Sequence, residues 1–291
     1  MPSRLHLFHT NRTEMPSQKA DIIHFTKMNG AGNDFIIVET SLYHIPDPHA
    51  AAIAWCDRST GIGADGLVLL GQPDSATADF AMRIFNADGS EAQMCGNASR
   101  CIGKYVFEKG ISDKTHIRLL TASGVKAIEL FLDEQRKVES ASIDMGIPAM
   151  ENIAMFLADG DDLPEGVFVD IGNPHYVIFT DNVDCVDVAT LGPRLEHHPR
   201  FPQRCNIEFA EVSEKSIRIR VWERGCGITK ACGTGACAVL VAAHKSGRSG
   251  KRATIIMDGG AVEVEWHDAT GHLWLKGGAQ FDGEGDITLT V

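Results

Sequence analysis

The chain has 291 residues, about two lobes' worth, with 44% apolar residues and 27 basic against 39 acidic side chains for a formal charge of −12. The apolar share excludes a disordered chain, and the acidic balance argues against a protein that grips a nucleic-acid backbone. The longest apolar run, 236–243, is far short of the roughly 18 residues a spanning helix needs, so no membrane partner is expected.

In chain order, residues 1–21 carry no apolar signal core and read as a flexible N-terminal extension, which makes the cytoplasm the expected location. The eight cysteines are then expected to be reduced, and none has the C-x-x-C spacing of a zinc or redox motif. Strand-like stretches follow at 22–26 and 34–40, a helical segment at 48–57, and strands at 67–70 and 80–86. A second helix is predicted over 97–108 and is closed by Gly110. Strands at 116–121, 125–132 and 138–143 complete this run. The pattern then starts again, with strands at 167–171 and 176–180, a helix at 186–195, and strands at 206–212 and 217–223. A helix over 234–245 closed by Gly247 follows, and then strands at 253–257, 262–266 and 273–276. Between the two runs, 159–162 reads as a solvated acidic turn.

The second run is a copy of the first. Gly32-Asn33-Asp34-Phe35 aligns with Gly172-Asn173-Pro174-His175 at an offset of 140 residues. Met82-Arg83-Ile84-Phe85-Asn86 aligns with Ile219-Arg220-Val221-Trp222-Glu223, and Cys95-Gly96-Asn97 with Cys232-Gly233-Thr234, both at 137. The expected fold is α+β, with two pseudo-symmetric lobes that each wrap a mostly antiparallel sheet around a central helix. The active site is expected in the cleft between them.

The duplicated Cys-Gly carries the main chemical inference. A helix N-terminus offers free N–H groups and partial positive charge, which lower a thiol's pKa and bind a carboxylate. Two thiols facing one carbon from opposite sides provide a base and an acid for inversion of a stereocentre. The helix-end N–H groups meanwhile steady the enediolate. A single cysteine near a helix start is more often a packing residue; two at repeat-equivalent positions favour function. Cys56, Cys101, Cys185, Cys205 and Cys237 lack that setting and read as packing residues, while Cys226 stays undecided. Asn33, Asn173, Asn86, Glu223 and Arg224 form a repeat-matched polar set suited to an amino-acid head group. His175 could tune a thiol. Gly61-Ile62-Gly63-Ala64-Asp65-Gly66 matches a dinucleotide string, but a helix precedes it and a strand follows, the reverse of what phosphate binding needs.

At these residues the sequence resembles the diaminopimelate epimerases. The matching segments are Lys27-Met28-Asn29-Gly30-Ala31-Gly32-Asn33-Asp34-Phe35, Arg83-Ile84-Phe85-Asn86-Ala87-Asp88-Gly89-Ser90-Glu91 and Met94-Cys95-Gly96-Asn97. To these are added Gly172-Asn173-Pro174-His175, Glu223-Arg224-Gly225 and Ala231-Cys232-Gly233-Thr234-Gly235-Ala236-Cys237. The resemblance implies a cofactor-free homodimer that interconverts LL- and meso-2,6-diaminopimelate for lysine and peptidoglycan synthesis, with no metal. It further implies that Cys95 and Cys232 are the acid/base pair, supported by His175 and Glu223. Gly96, Asn97, Gly233 and Thr234 would hold the reacting carboxylate. Asn33, Asn86, Asn173, Asn206, Glu223 and Arg224 would bind the substrate's other polar groups. The implied lobes are 22–144 plus 280–291, and 145–279, with the last strand returning to the first lobe.

The sequence departs from the family at several places. Gly66 stands where some members carry a substrate-binding Gln, and Asn29 replaces a common His. Cys226 and Ile228 replace a common Ala and Glu. Two alternatives stay open at this level: a racemase of another amino acid such as a proline-like substrate, and a non-catalytic metal- or redox-binding protein.

Overall fold

The repeat seen in the sequence is also a repeat of strand pairing. The structure, a computed structural model, describes residues 22–74, 76–156 and 162–289. The extension at 1–21 and most of the acidic turn at 159–162 lie outside the described residues. The first half runs β1 (Ile22–Gly30), β2 (Asn33–Glu39), α1 (Pro48–Cys56), β3 (Gly66–Gly71), β4 (Phe80–Asn86), β5 (Glu91–Ala92), α2 (Gly96–Glu108), β6 (His116–Thr121), β7 (Gly124–Leu132) and β8 (Val138–Gly146). The second half begins β9 (Ala154–Phe156), β10 (Gly166–Asp170), β11 (Pro174–Phe179), α3 (Val188–Glu196), β12 (Asn206–Val212), β13 (Ser216–Glu223) and β14 (Gly227–Thr229). It ends α4 (Gly233–Lys245), β15 (Arg252–Met257), β16 (Gly260–Trp266), β17 (Leu273–Gly277) and β18 (Gln280–Thr288).

Strands β1, β2, β3, β4, β6, β7 and β8 pair in that order, and β10, β11, β12, β13, β15, β16 and β17 repeat it. Most ladders are antiparallel. The exceptions are parallel and occur in equivalent places: β2–β3 and β11–β12, which are bridged by α1 and α3, and β4–β6 and β13–β15, which are bridged by α2 and α4. A parallel pair needs a crossover segment, and a helix fills that role here. The halves join edge to edge where β8 pairs antiparallel with its own repeat equivalent β17, with Ile143 opposite Leu275. At the end of the chain β18 pairs antiparallel with β1.

Helix α4 is apolar on every face, and residues from Gly235 to Ala243 are buried, as expected of a helix enclosed by its sheet. Val239, Leu240 and Val241 have no exposed surface, and each contributes about 1.5–3 kcal/mol by burial. Helix α2 shares this core. Helices α1 and α3 pack outside, α1 contributing Trp55 to a cluster with Phe85 and α3 contributing Leu195 to one with Tyr176 and Phe201. The two central helices also end alike. Gly110 and Gly247 take positive φ of 71° and 69°. Ile111 N–H then reaches back to Val106 O, and Arg248 N–H to Ala243 O, which closes each helix with a Schellman turn.

Some expectations change. Helix α3 begins two residues later than predicted because the Asp187 carboxylate caps it, accepting from Thr190 N. Cys185 is exposed, since it sits in the short 3₁₀ turn Val183–Cys185; it is not a packing residue. Cys56, Cys101, Cys205 and Cys237 are buried.

Candidate active site

The cysteines stand at the N-caps of α2 and α4 in nearly the same backbone conformation, with φ, ψ of −141°, 117° at Cys95 and −130°, 108° at Cys232. Neither has a Ser, Asp or Asn side chain in the capping position, so the first-turn N–H groups stay free for another acceptor. The Cys232 sulfur takes one of them, accepting from Gly235 N at 3.3 Å. One side chain separates the two helix starts. A Cβ placed on Gly96 would lie 3.3 Å from Met145 Sδ, and one on Gly233 would lie 3.9 Å from Met145 Cε. The charge of Glu223 acts on both thiols. Both Cys-Gly pairs therefore lie against Met145.

The polar groups behind each thiol begin alike and then diverge. In the first half Asn97 Nδ2 donates to Asn33 Oδ1 at 2.6 Å, and Asn33 Nδ2 donates to Asp65 Oδ2 at 3.2 Å. In the second half Asn173 Nδ2 donates to Thr234 Oγ1 at 3.3 Å, and Asn173 Oδ1 lies 3.1 Å from His175 Nε2. The repeat-matched asparagines thus each tie a hairpin to the residue two beyond a cysteine. His175, expected to support a thiol, is linked to one through intervening groups. Both its ring nitrogens are engaged, Nδ1 by Glu208 Oε1 at 2.6 Å and Nε2 by Asn173. It reaches Cys232 only through Asn173 and Thr234, whose Oγ1 is 3.5 Å from the sulfur.

The other expected substrate contacts are held by hydrogen bonds within their own halves. Asn206 Nδ2 donates to Pro174 O at 2.8 Å, and its Oδ1 accepts from Arg224 N at 2.9 Å. Arg224 Nη1 is held by Gln203 O at 2.9 Å. Glu223 accepts from Thr229 Oγ1. Asn86, its repeat partner, donates to Ser90 Oγ at 2.9 Å. A cavity of about 590 Å³ opens beside Asn33, between Asp34, Arg58 and Asp65 of the first half and Ile228, Thr229 and Lys230 of the second. At Gly66 a side chain would begin 2.9 Å from Phe85 O, so the strand pairing leaves no easy room there for the Gln of some relatives.

Burial pushes the Cys95 thiol up, the N–H groups of Ala98 and Asn97 and the Arg100 charge pull it down, and Glu223 pushes it up. Cys232 is pushed well above the ordinary thiol range, first by burial and then by Glu223 and Glu208. Burial also raises the Glu223 carboxyl, against the pull of Thr229 and Cys232. The two thiols, both raised, therefore sit in different electrostatic surroundings.

Three functional candidates escaped the sequence reading. Glu208 lies under the first turn of α4, where a Cβ on Gly235 would meet its Oε1 at 2.8 Å. Its signal was a carboxylate between Ile207 and Phe209 on a buried strand. Glu196 accepts from Trp222 Nε1 at 2.7 Å, Gly225 N at 3.0 Å and Arg204 Nη1 at 3.2 Å, and so pins the Glu223–Gly225 segment. Arg100 is fully buried on α2, which its neighbours Ser99 and Cys101 do not signal.

The sequence profile of the family described as diaminopimelate epimerase matches residues 25–150 and 167–281. The chain belongs to the diaminopimelate epimerase family. A diaminopimelate epimerase from Parabacteroides distasonis is 50% identical over 268 residues, covering 92% of this chain and 98% of the relative. One from Bacteroides thetaiotaomicron is 52% identical, covering 90% and 97%. One from Methanococcus maripaludis is 42% identical, covering 90% and 99%. Among solved structures, the fold is shared with a PhzF-family phenazine biosynthesis protein from Bacillus anthracis, with a TM-score of 0.70 at 15% identity and coverage of 92% and 100%. It is also shared with a probable proline racemase from Agrobacterium radiobacter, with a TM-score of 0.69 at 16% identity and coverage of 92% and 93%. Membership of the diaminopimelate epimerase family accounts for both halves at once, since the matched stretches hold Cys95 and Cys232 alike.

Proposed function

We propose that this protein is an isomerase that epimerises LL-2,6-diaminopimelate to the meso form, without a cofactor, by proton transfer between two thiols. The observation that carries this reading is the pair of cysteines at equivalent helix N-caps, separated by Met145. One sulfur takes the α-proton as the C–H electron pair moves into the carboxylate, and the other gives its proton to the opposite face. The first-turn N–H groups of α2 and α4, with Gly96, Asn97, Gly233 and Thr234, receive the carboxylate as its negative charge grows. Asn33, Asn86, Asn173, Asn206, Glu223 and Arg224 fix the remaining amino and carboxylate groups. The identity of the curated relatives, at about half of all positions, supports this substrate over a proline-like one. The lobes in this reading are 22–144 with 280–291, and 145–279; the β18–β1 ladder supports that division. The reading includes a homodimer acting in the cytoplasm. No helix among the described residues is long and apolar enough to cross a membrane.

The test is α-hydrogen exchange on LL-diaminopimelate in D₂O with no pyridoxal phosphate added. Wild-type enzyme is expected to exchange and epimerise. Cys95→Ala and Cys232→Ala are each expected to lose epimerisation by about 10²–10⁴-fold or more while staying folded. Full turnover by either variant would sink the two-thiol mechanism.

A further inference from the structure

The turn between β1 and β2 presses on the other half where its repeat copy stands clear. Gly32 and Gly172 are repeat equivalents and share a φ of 92°. A Cβ on Gly32 would lie 2.6 Å from Gly259 Cα and 2.8 Å from Gly259 O, whereas one on Gly172 would meet no described atom within 4 Å. The receiving turns are equivalent too. Gly259 is the second residue of the turn between the paired Met257 and Gly260, and Ser123 is the second of the turn between the paired Thr121 and Gly124. Gly259 N donates to Lys230 O at 2.7 Å and Ser123 N to Gln93 O at 3.2 Å, each acceptor two residues before a cysteine. Pseudo-symmetry thus offers two turn-on-turn contacts between the halves. The chain makes the one at Gly259 close and leaves Gly172 in open space.

The close contact joins the supports of both thiols. On the first-half side the turn leads into Asn33, whose Oδ1 accepts at 2.6 Å from Asn97 Nδ2, two residues beyond Cys95. On the second-half side the β15–β16 turn holds Lys230 through Gly259 N, and Met257 Sδ accepts from Cys232 N at 3.4 Å. The β8–β17 seam includes neither the β1–β2 turn nor the segment before Cys232. The first-half turn needs help to keep its shape. Both of its central residues have positive φ, Ala31 at 55° and Gly32 at 92°, as a two-residue hairpin turn takes, but Ala pays a steric penalty there. Asn29 holds the turn, its Oδ1 accepting from Gly32 N at 3.0 Å. So held, Ala31 O lies only 2.6 Å from where a Cβ on Gly259 would stand.

We propose that Asn29 is a positioning residue: it holds the Ala31–Gly32 turn against Gly259, and that contact sets Cys232 in place relative to Cys95. The proposal rests on the two-thiol reading above. Proton transfer to and from one carbon tolerates little error in where the two sulfurs stand. Gly259 is the receiving half of the device, since any side chain there would hold the turns apart; its equivalent Ser123 carries one.

Steady-state kinetics and a short bis-alkylating thiol reagent, applied to full-length enzyme with bridged peptides counted by mass spectrometry, test the assignment. Asn29→Ala removes the acceptor and Asn29→Gln displaces it. Each is expected to lower kcat by about 10- to 100-fold with KM within about threefold, and to reduce the yield of the Cys95–Cys232 bridge several-fold. Asn29→Asp keeps an oxygen at the same place and is expected to retain most of both. Ser123→Ala, in the equivalent turn of the first half, is expected to change neither. Wild-type kcat and bridge yield in a folded Asn29→Gln, or equal losses in Asn29→Asp and Asn29→Ala, overturn the proposal even while Cys95→Ala and Cys232→Ala stay inactive. Normal turnover by those cysteine variants instead defeats the two-thiol reading, and the proposal falls with it.

Discussion

His175 Nδ1 lies 2.6 Å from Glu208 Oε1, and both side chains are 0% exposed. The second carboxylate oxygen, Oε2, has no hydrogen-bond partner. The first half does without this pair, having Phe35 and Val68 at the matching positions. A buried ionisable pair of this kind is a device for orientation and contributes little net stability. Glu208→Val alone is expected to cost about 3–5 kcal/mol, because it strands the imidazole. The double variant His175→Phe, Glu208→Val copies the other half and is expected to recover most of that loss. Its kcat should stay low, because Asn173 loses the ring that holds it. Denaturant midpoints of wild type, Glu208→Val, His175→Phe and the double variant check this, and simple addition of the two single-variant losses would contradict it.

Glu196, buried itself, anchors Trp222, Gly225 and Arg204 together. Glu196→Ala is expected to raise KM about tenfold, roughly the worth of one loosened charged hydrogen bond, with a much smaller change in kcat. Steady-state kinetics separate the two. An equal fall in kcat would place Glu196 in the chemical step.

The pH profile follows from the directions given above. Burial raises both thiols, so kcat/KM is expected to climb above neutral as one thiol ionises and to fall when the second does. Glu223 opposes ionisation of Cys232. Glu223→Gln removes that opposition and should draw the alkaline limb to lower pH, whatever it does to the maximum. An unmoved alkaline limb would show that Cys232 does not set it.

Asp34 supplies a stability test. Burial raises its carboxyl, but hydrogen bonds from Arg58 and Lys27 outweigh that and hold it well below the usual carboxylate range. Arg58 Nη2 lies 2.7 Å from Asp34 Oδ1 and Lys27 Nζ 2.9 Å from Oδ2. A folded pKa below the unfolded one adds stability that is present above the unfolded value of about 3.9 and lost as pH falls toward the folded one. Asp34→Asn is therefore expected to lower Tm at neutral pH by the equivalent of about 2 kcal/mol, with the gap to wild type closing below about pH 4.

Close contact between the halves can be probed at Gly259. A Cβ there would sit 2.6 Å from Ala31 O and 3.0 Å from Lys230 O. Gly259→Ala is expected to cost about 1–3 kcal/mol through this overpacking. Gly250→Ala, in open space, should be nearly neutral. Thermal melts of the two variants compare them directly.

Features encoded locally were legible in the sequence. The starts and stops of α2 and α4 follow from Cys-Gly and from Gly110 and Gly247, which act within a single turn. The helix N-cap setting of both thiols followed from the repeat. Strands β5, β9 and β14, of two or three residues, are too short to show an alternation. The parallel ladders join residues 31 to 39 apart in the sequence, and no local pattern announces them. Glu208 is 33 residues from His175, so a histidine at a strand start could be read without its partner. The burial of Arg100 is not legible locally, because its sequence neighbours do not reveal that the second half closes over it through Gly277 and Gly278.

The seam between β8 and β17 joins a strand to its own copy. A molecule assembled from two identical single-unit chains across such a seam would carry two chemically identical sulfurs, with nothing to decide which one holds the hydrogen. Holding both units in one polypeptide lifts that degeneracy: each copy carries its own charged residues, so under the proposed mechanism a pseudo-symmetric scaffold can give its two sulfurs different tasks.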